Sequence, residues 1–560
     1  MTLGLVLLTA GVSVAAQASQ STPASQAAKE ETCVVSGTII RREDSAPLKG
    51  AVVQLLNSED REREHTIAAR SNADGRFELR NVPAGKYRLM VNRNGYFGIE
   101  YGQNKPNDPG ATFHLTPGQR MSDLLLKMGR AGVITGHVVD EDGEPMAGVA
   151  VVALRTAYEK GHKELMPREQ SQTNDLGEYR LHGLAPGRYY ISAESEGWNR
   201  IVGDREFTGE EKNATEKAYT RMYYPGYVDS AKASAVGVKE GEEIPGVDFL
   251  MKEVSVYRIR GRVINQATKT DLRHGMVELH PRNQRNYWFS YGTRNMLRPG
   301  GLFEVAEVTP GEYSMVARLF DEGKVYMTQQ DVDVTAADID GLVLTIGPGI
   351  TIPGRIVWDG QPSLSKEEFR VYLRSEGLEF WSGGDSRVDQ NNQFALKEVT
   401  DGAAKVIVAG LSKDCYIKEV KYGDSTLPDT ELRVGKASSG NLEITVSSRG
   451  ARVEGAVLTE DSLPAAGVWV VAVPEESKRR FERLFKSDRT DQNGAFGLHG
   501  LAPGKYKLFS WADIEEGAWE DPDFLKPFED KGETVEVQDG GTETLQLKLV
   551  QAKDNPSKLE

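Results

Sequence analysis

The chain has 560 residues, 27% of them charged and 39% hydrophobic, and a formal net charge of -15. That acidic balance argues against a nucleic-acid or anionic-membrane partner, since both reward a basic surface that releases counterions. The two cysteines, Cys33 and Cys415, lie too far apart to staple one small domain and read as buried or isolated thiols rather than a disulfide framework.

The opening MTLGLVLLTAGVSVAAQASQ carries an apolar run and an Ala16-Gln17-Ala18 ending that a signal peptidase accepts, so residues 1–18 read as a secretory leader. It lacks the usual Lys or Arg at its start. Residues 19–31, rich in Ser, Ala and Gln, read as a flexible tether. No later segment is apolar enough to span a membrane, which places the expected mature chain in the periplasm or outside the cell.

From there the chain repeats one frame. Its first copy is NADGRFELRNVPAGKYRL, Asn72 to Leu89: an Asx/Gly turn, an alternating strand, a Pro-Ala-Gly turn and a second alternating strand. The other copies begin at Asn174, Arg298, Asp389 and Asp491. In all five an aromatic (Phe77, Tyr179, Phe303, Phe394, Phe496) stands eight residues before a turn glycine (Gly85, Gly187, Gly311, Gly402, Gly504). Four place a tyrosine two residues after that glycine (Tyr87, Tyr189, Tyr313, Tyr506), and the fourth has Ala404. The aromatics are 102, 124, 91 and 102 residues apart, an ordinary domain length.

A second shared block, a glycine-led strand, an acidic or proline turn and a Val-rich strand, precedes the frame. It runs Gly37 to Leu55, Gly136 to Val151 and Gly455 to Val470, and more loosely from Gly261 to Val277. Short alternating strands between Gly, Pro and Asp turns predict an all-β chain of five tandem antiparallel Greek-key β-sandwiches. The expected boundaries are 32–128, 129–252, 253–347, 348–449 and 450–552, the fourth the most diverged. Linkers of a few residues, such as Gly347-Pro348-Gly349, predict a semi-rigid rod.

The glycine-led strand followed by D-x-x-G-x-[FY]-x-[LF]-x-x-[VL]-x-P-G-x-Y resembles the carboxypeptidase regulatory-like repeat, a transthyretin-like (prealbumin-like) sandwich of the carbohydrate-binding-like group. The resemblance covers the first, second and fifth units well, the third moderately and the fourth poorly. It implies a seven-stranded Greek-key sandwich found in tandem arrays of bacterial exported proteins. It also implies a non-catalytic module.

Enzymatic chemistry has little to stand on. The eight histidines form no H-x-x-E or H-E-x-x-H pair, and neither a nucleophile elbow nor a phosphate loop occurs. His182 and His499, both in Leu-His-Gly-Leu, share a slot with Arg80, Ala306 and Lys397 and so read as turn support. The Asp488–Gly494 stretch partly resembles a calcium loop, but Arg489 sits at a ligand position and no bidentate glutamate follows, so it reads as a turn. No cofactor, metal or catalytic residue is expected.

Aromatics outside the frame are the candidate binding residues, because sugar rings present apolar faces to Trp and Tyr. They are Tyr223, Tyr224 and Tyr227 in RMYYPGY, Trp288 and Tyr291, and Trp511 and Trp519 with Asp521 and Asp523 in the acidic-aromatic insertion of the fifth unit. Two roles fit them: a platform for carbohydrate, or a cover for neighbouring domains. The expected function is a non-catalytic binding or scaffold protein of the cell envelope, its partner a polysaccharide or an envelope protein. A purely structural rod and an accessory chain of a peptidase system are the alternatives.

Overall fold

The computed structural model describes residues 32–550 apart from 58–66, 104–105, 107–109, 160, 196–215, 269, 271, 283–293, 322–323, 366–367, 376–380, 401, 436–439 and 513. Among these residues the chain is all-β; a four-residue α-helix, Pro522–Leu525, and a few 3-10 turns interrupt the strands. Period-two alternation becomes burial directly: along Arg76–Val82, Phe77 and Leu79 point into the core while Arg76, Glu78 and Arg80 face solvent. Five large apolar clusters result. Each gathers one frame aromatic, Phe77, Tyr179, Phe303, Phe394 or Phe496, and lies between two sheets. In the first unit one sheet holds Cys33–Arg41 between Arg76–Val82 and Arg120–Met128, and the other is built around Val52–Asn57 and Gly85–Asn92.

The repeated residues have repeated jobs. Gly37, Gly136, Gly261, Gly354 and Gly455 stand directly across an antiparallel pair from the five frame aromatics. A Cβ at any of them would collide with backbone of the segment on the other side: Leu124, Val247, Leu342, Leu442 or Leu545. That segment runs parallel to the glycine-led strand, so each unit has one parallel pairing within otherwise antiparallel sheets. The tyrosine after the turn glycine buries its ring and donates its hydroxyl to the carbonyl four residues back, at 3.0 Å from Pro83, 2.8 Å from Ala185, 2.9 Å from Thr309 and 3.0 Å from Ala502. Such a ring gains apolar burial without stranding its polar tip.

Four residues after each frame aromatic the backbone turns left-handed, at Asn81, Gly183, Glu307, Glu398 and Gly500. The strand pairing shifts register at this point, placing two residues opposite one. The first, second and fifth units share one further device. Ser71, Thr173 and Thr490 are buried, and each hydroxyl donates to one backbone carbonyl (Leu48, Met146, Ala465) at 2.6 Å while accepting from one backbone N–H (Ala51, Val149, Val468). The third and fourth units have Leu297 and Val388 at that position and lack it.

The units do not form an open row. The fifth folds back on the first, where Arg489 donates to the Gly110 carbonyl at 3.3 Å, and on the second, where Arg155 pairs with Glu515 at 3.2 Å. The expected rod is corrected by these contacts. Short linkers limit how far adjacent units separate, but they do not dictate the sign of each bend, and successive bends bring the fifth unit against the first and second. Cys33 and Cys415 are both buried free thiols.

Candidate functional site

The connection that follows the Gly504–Trp511 strand is long and crosses the outer face of its own sheet. Its anchor is the Trp469–Pro474 strand, buried along its whole length. Val470 and Ala472 point into the sandwich, whereas Trp469, Val471 and Val473 point outward and need a cover. The insertion supplies it: Ile514, Ala518, Trp519, Phe524, Leu525 and Phe528 close over the sheet and form a second apolar layer with Phe509 and Trp511. Trp511 stacks on Phe509 with centroids 4.8 Å apart, and Trp519 meets Trp469 edge-on at 4.9 Å. Asp521 caps the short helix by accepting from the Asp523 N–H at 2.9 Å.

The structure therefore distributes the candidate binding residues unevenly. Trp511 and Trp519 are 2% and 4% exposed, so neither ring offers a face to solvent. Tyr223 is buried and paired through its strand with Ser192, and Tyr224 is half-buried edge-on to Phe249 at 6.2 Å. Tyr227, at 46%, is exposed, as is Asp523, while Asp521 is half-buried. Trp288 and Tyr291 lie outside the described residues. Among the described residues these side chains do not converge on one site.

What the insertion does meet is another unit. The second unit's hairpin, Ala150–Glu159 and His162–Gln172, is far longer than its counterpart in the first unit, Val52–Asn57 and Ile67–Arg70, and reaches the fifth. Tyr158 packs edge-on against Phe524 at 6.1 Å. A Cβ on Gly161 would stand 2.7 Å from the Glu520 carbonyl oxygen, and one on Gly517 3.2 Å from that of Tyr158, so a glycine on each side permits the approach. Burial first, then the Asp521 and Glu515 charges, push the Tyr158 phenol up. Next to this contact Arg489 lies over the Trp469 ring, 4.5 Å from its centroid, and reaches the first unit.

The same connection docks between units elsewhere. In the first unit the stretch after Gly85–Asn92 contains Gly102 and Gly110, and a Cβ on Gly467 of the fifth unit would stand 2.6 Å from the Gly102 oxygen. In the second, the strand Glu216–Tyr219 pairs with Glu253–Asn265 of the third. The fourth–fifth junction is ionic: Asp414 accepts from Arg452 and lies 3.0 Å from His499 Nδ1. Burial raises the Asp414 carboxyl, but the hydrogen bonds from Arg452 and His499 outweigh it and hold the pKa below the usual aspartate range. His499 is thus a junction residue. His182 is exposed, 4.0 Å from Glu169.

One polar cluster belongs to no sequence motif. On the outward face of the third unit's sheet, Glu278 and His280 (Gly275–Pro281) lie beside Ser314 and Arg318 (Gly311–Asp321), all four buried. Arg318 Nη2 is 3.1 Å and His280 Nε2 3.4 Å from the same Glu278 oxygen, Oε2. Ser314 Oγ accepts from Gln329 at 2.6 Å. The signal was Glu-x-His at a spacing of two, which puts both side chains on one face of a strand. Chemically it is a buried ion pair with an imidazole beside it, an arrangement that costs several kcal/mol when one partner is removed. Among the described residues no three His, Cys, Asp or Glu side chains are grouped to hold a metal. The turn oxygens are already used: Asp491 Oδ1 accepts from the N–H groups of Asn493 and Ala495, both at 2.8 Å. No described helix is long and apolar enough to cross a membrane.

Residues 34–119 and 133–215 match the family model of the carboxypeptidase regulatory-like domain. No curated protein matches the sequence. Solved structures that align with parts of the chain include the Bacillus anthracis TIE protein, at 14% identity over 57% of this chain with a TM-score of 0.16. The alignment spans 51% of that protein, about half its length. GBS52, the minor pilin of Streptococcus agalactiae, aligns at 14% identity over 40% of this chain and 97% of its own, with a TM-score of 0.22. BcpA, the major pilin subunit of Bacillus cereus, aligns at 11% identity over 56% of this chain and 99% of its own, with a TM-score of 0.14.

Proposed function

We propose that this chain, whose first two units match the carboxypeptidase regulatory-like domain, is a non-catalytic scaffold of the cell envelope that engages an envelope protein after export. The observation that carries this reading is how the fifth unit's insertion is used. Trp519 within it and Trp511 just before it are buried, and its outer edge meets the second unit. Aromatic side chains spent on holding units together support an architectural role. The leader that the export reading needs, residues 1–18, lies outside the described residues.

Carbohydrate binding is a second reading, favoured by one observation. Tyr227 and Val228 are 46% and 50% exposed at the tip of the turn that Tyr223 and Tyr224 anchor. A ring held by a rigid turn and open on one face suits a sugar platform.

One set of assays separates the readings. The purified mature chain is applied to a glycan array and to insoluble cell-wall polysaccharide, and is assayed for peptidase and glycosidase turnover; cross-linking in intact cells identifies the envelope neighbour, whose binding is then measured with both proteins pure. The scaffold reading expects no glycan retention, no turnover and direct binding of the purified neighbour. Glycan retention abolished by Tyr227→Ala or Trp288→Ala replaces it with the carbohydrate reading, and turnover contradicts both.

A further inference from the structure

We propose that the fifth unit's insertion, residues 514–532, is a latch that holds the chain closed on itself by seating on the tip of the second unit's hairpin, and that releasing it changes the molecule from a closed to an extended form. The two sides are matched in shape and charge. The hairpin brings Arg155, Tyr158 and Gly161; the insertion brings Glu515, Gly517 and Phe524. Gly161 and Gly517 both adopt left-handed φ, +72° and +82°, and each lets backbone of the other side come close, so the fit is specified from both surfaces.

The contact is built to be reversible. The buried residues of the layer that keeps the insertion folded, among them Trp469, Phe509, Trp511 and Phe528, all come from the fifth unit, and Tyr158 of the second packs against them. Opening the latch therefore leaves both sandwiches and the insertion intact. At the hairpin it breaks one ion pair, whose side chains are 17% and 38% exposed, one aromatic edge contact and the backbone approaches at Gly161 and Gly517, and full extension also parts Arg489 and Gly467 from Gly110 and Gly102 of the first unit. Small polar contacts of this kind between domains permit relative motion, and the charge component weakens as salt rises, because the screening length falls from about 10 Å at 0.1 M to about 3 Å at 1 M.

The test uses the full mature chain at low concentration and a lysine-reactive cross-linker. Exposed Lys163 lies at the hairpin tip and exposed Lys526 in the insertion. Mixing light and heavy isotope-labelled chains tells links within a molecule from links between two. The expected result is a Lys163–Lys526 link within single chains, its yield reduced severalfold by Glu515→Arg, restored by adding Arg155→Glu, and lowered by raising salt to about 1 M. Restoration by the reversed pair separates lost pairing from misfolding. A link found chiefly between different chains overturns the proposal in favour of an exchange of fifth units between copies. Absence of the link, or a yield that neither the charge reversal nor salt changes, overturns it outright.

Discussion

Thr490 shows what a single side chain contributes here. Its hydroxyl joins two stretches of backbone, accepting from the Val468 N–H at 3.0 Å and donating to the Ala465 carbonyl at 2.6 Å, with no exposure to water. Thr490→Val keeps the shape and strands both backbone groups, which costs about 1–3 kcal/mol per group left unsatisfied. A denaturant titration of the variant is expected to show a loss of at least about 1 kcal/mol, and an unchanged midpoint would contradict the assigned role. The residue's importance was not legible in the sequence. Ser71, Thr173 and Thr490 share a position ahead of the Asx turn, but hydroxyl residues are common in turns, and only the fold turns these inward. The frame tyrosines were legible because each stands two residues after the turn glycine, and the leading glycines because each opens a strand that an acidic or proline turn and a Val-rich strand follow. Gly354 was not, since the fourth unit lacks the Pro-Gly turn that sets the register elsewhere, yet it stands opposite Phe394 as its counterparts do.

At the scale of elements, alternation gave the strands and turn chemistry gave the hairpins. The parallel pairing of the first and last strand in each unit left no mark, because alternation has the same period in parallel and antiparallel sheets. The insertion is the sharper case. Its density of Trp, Phe, Asp and Glu drew attention as a site, and the sequence left binding and covering open as its roles. Deciding between them needs the outward side of Trp469–Pro474, which is as apolar as the inward side. A strand apolar on both sides is one covered on both faces, and that reading of the WVVAVP run would have pointed to a cover. Trp519→Ala is accordingly expected to destabilise the fifth unit by about 3–5 kcal/mol, the range for truncating a buried large aromatic. The check is thermal unfolding of the full chain, where the fifth unit's transition moves down. Tyr227→Ala, at an exposed turn, should leave the melting profile unchanged. Equal, negligible effects would mean that Trp519 is not buried.

At the scale of the whole molecule, the sequence shows five copies of the frame but not their path through space. That path depends on a few contacts between residues hundreds of positions apart, such as Arg155 with Glu515 and Arg489 with Gly110, and no repeat or motif encodes such a pairing. The same topological connection, enlarged in the first, second and fifth units, reaches across to another unit each time. Unit interiors follow a shared recipe, and the connections set the arrangement. Scattering from the mature chain tests that arrangement most directly. A globule of its length has a radius of gyration of roughly 24 Å, whereas five units of about 34 Å diameter in a row would give on the order of 50 Å. The closed arrangement predicts a monomer much nearer the globule's value than the row's; a monomer of about 50 Å would contradict it.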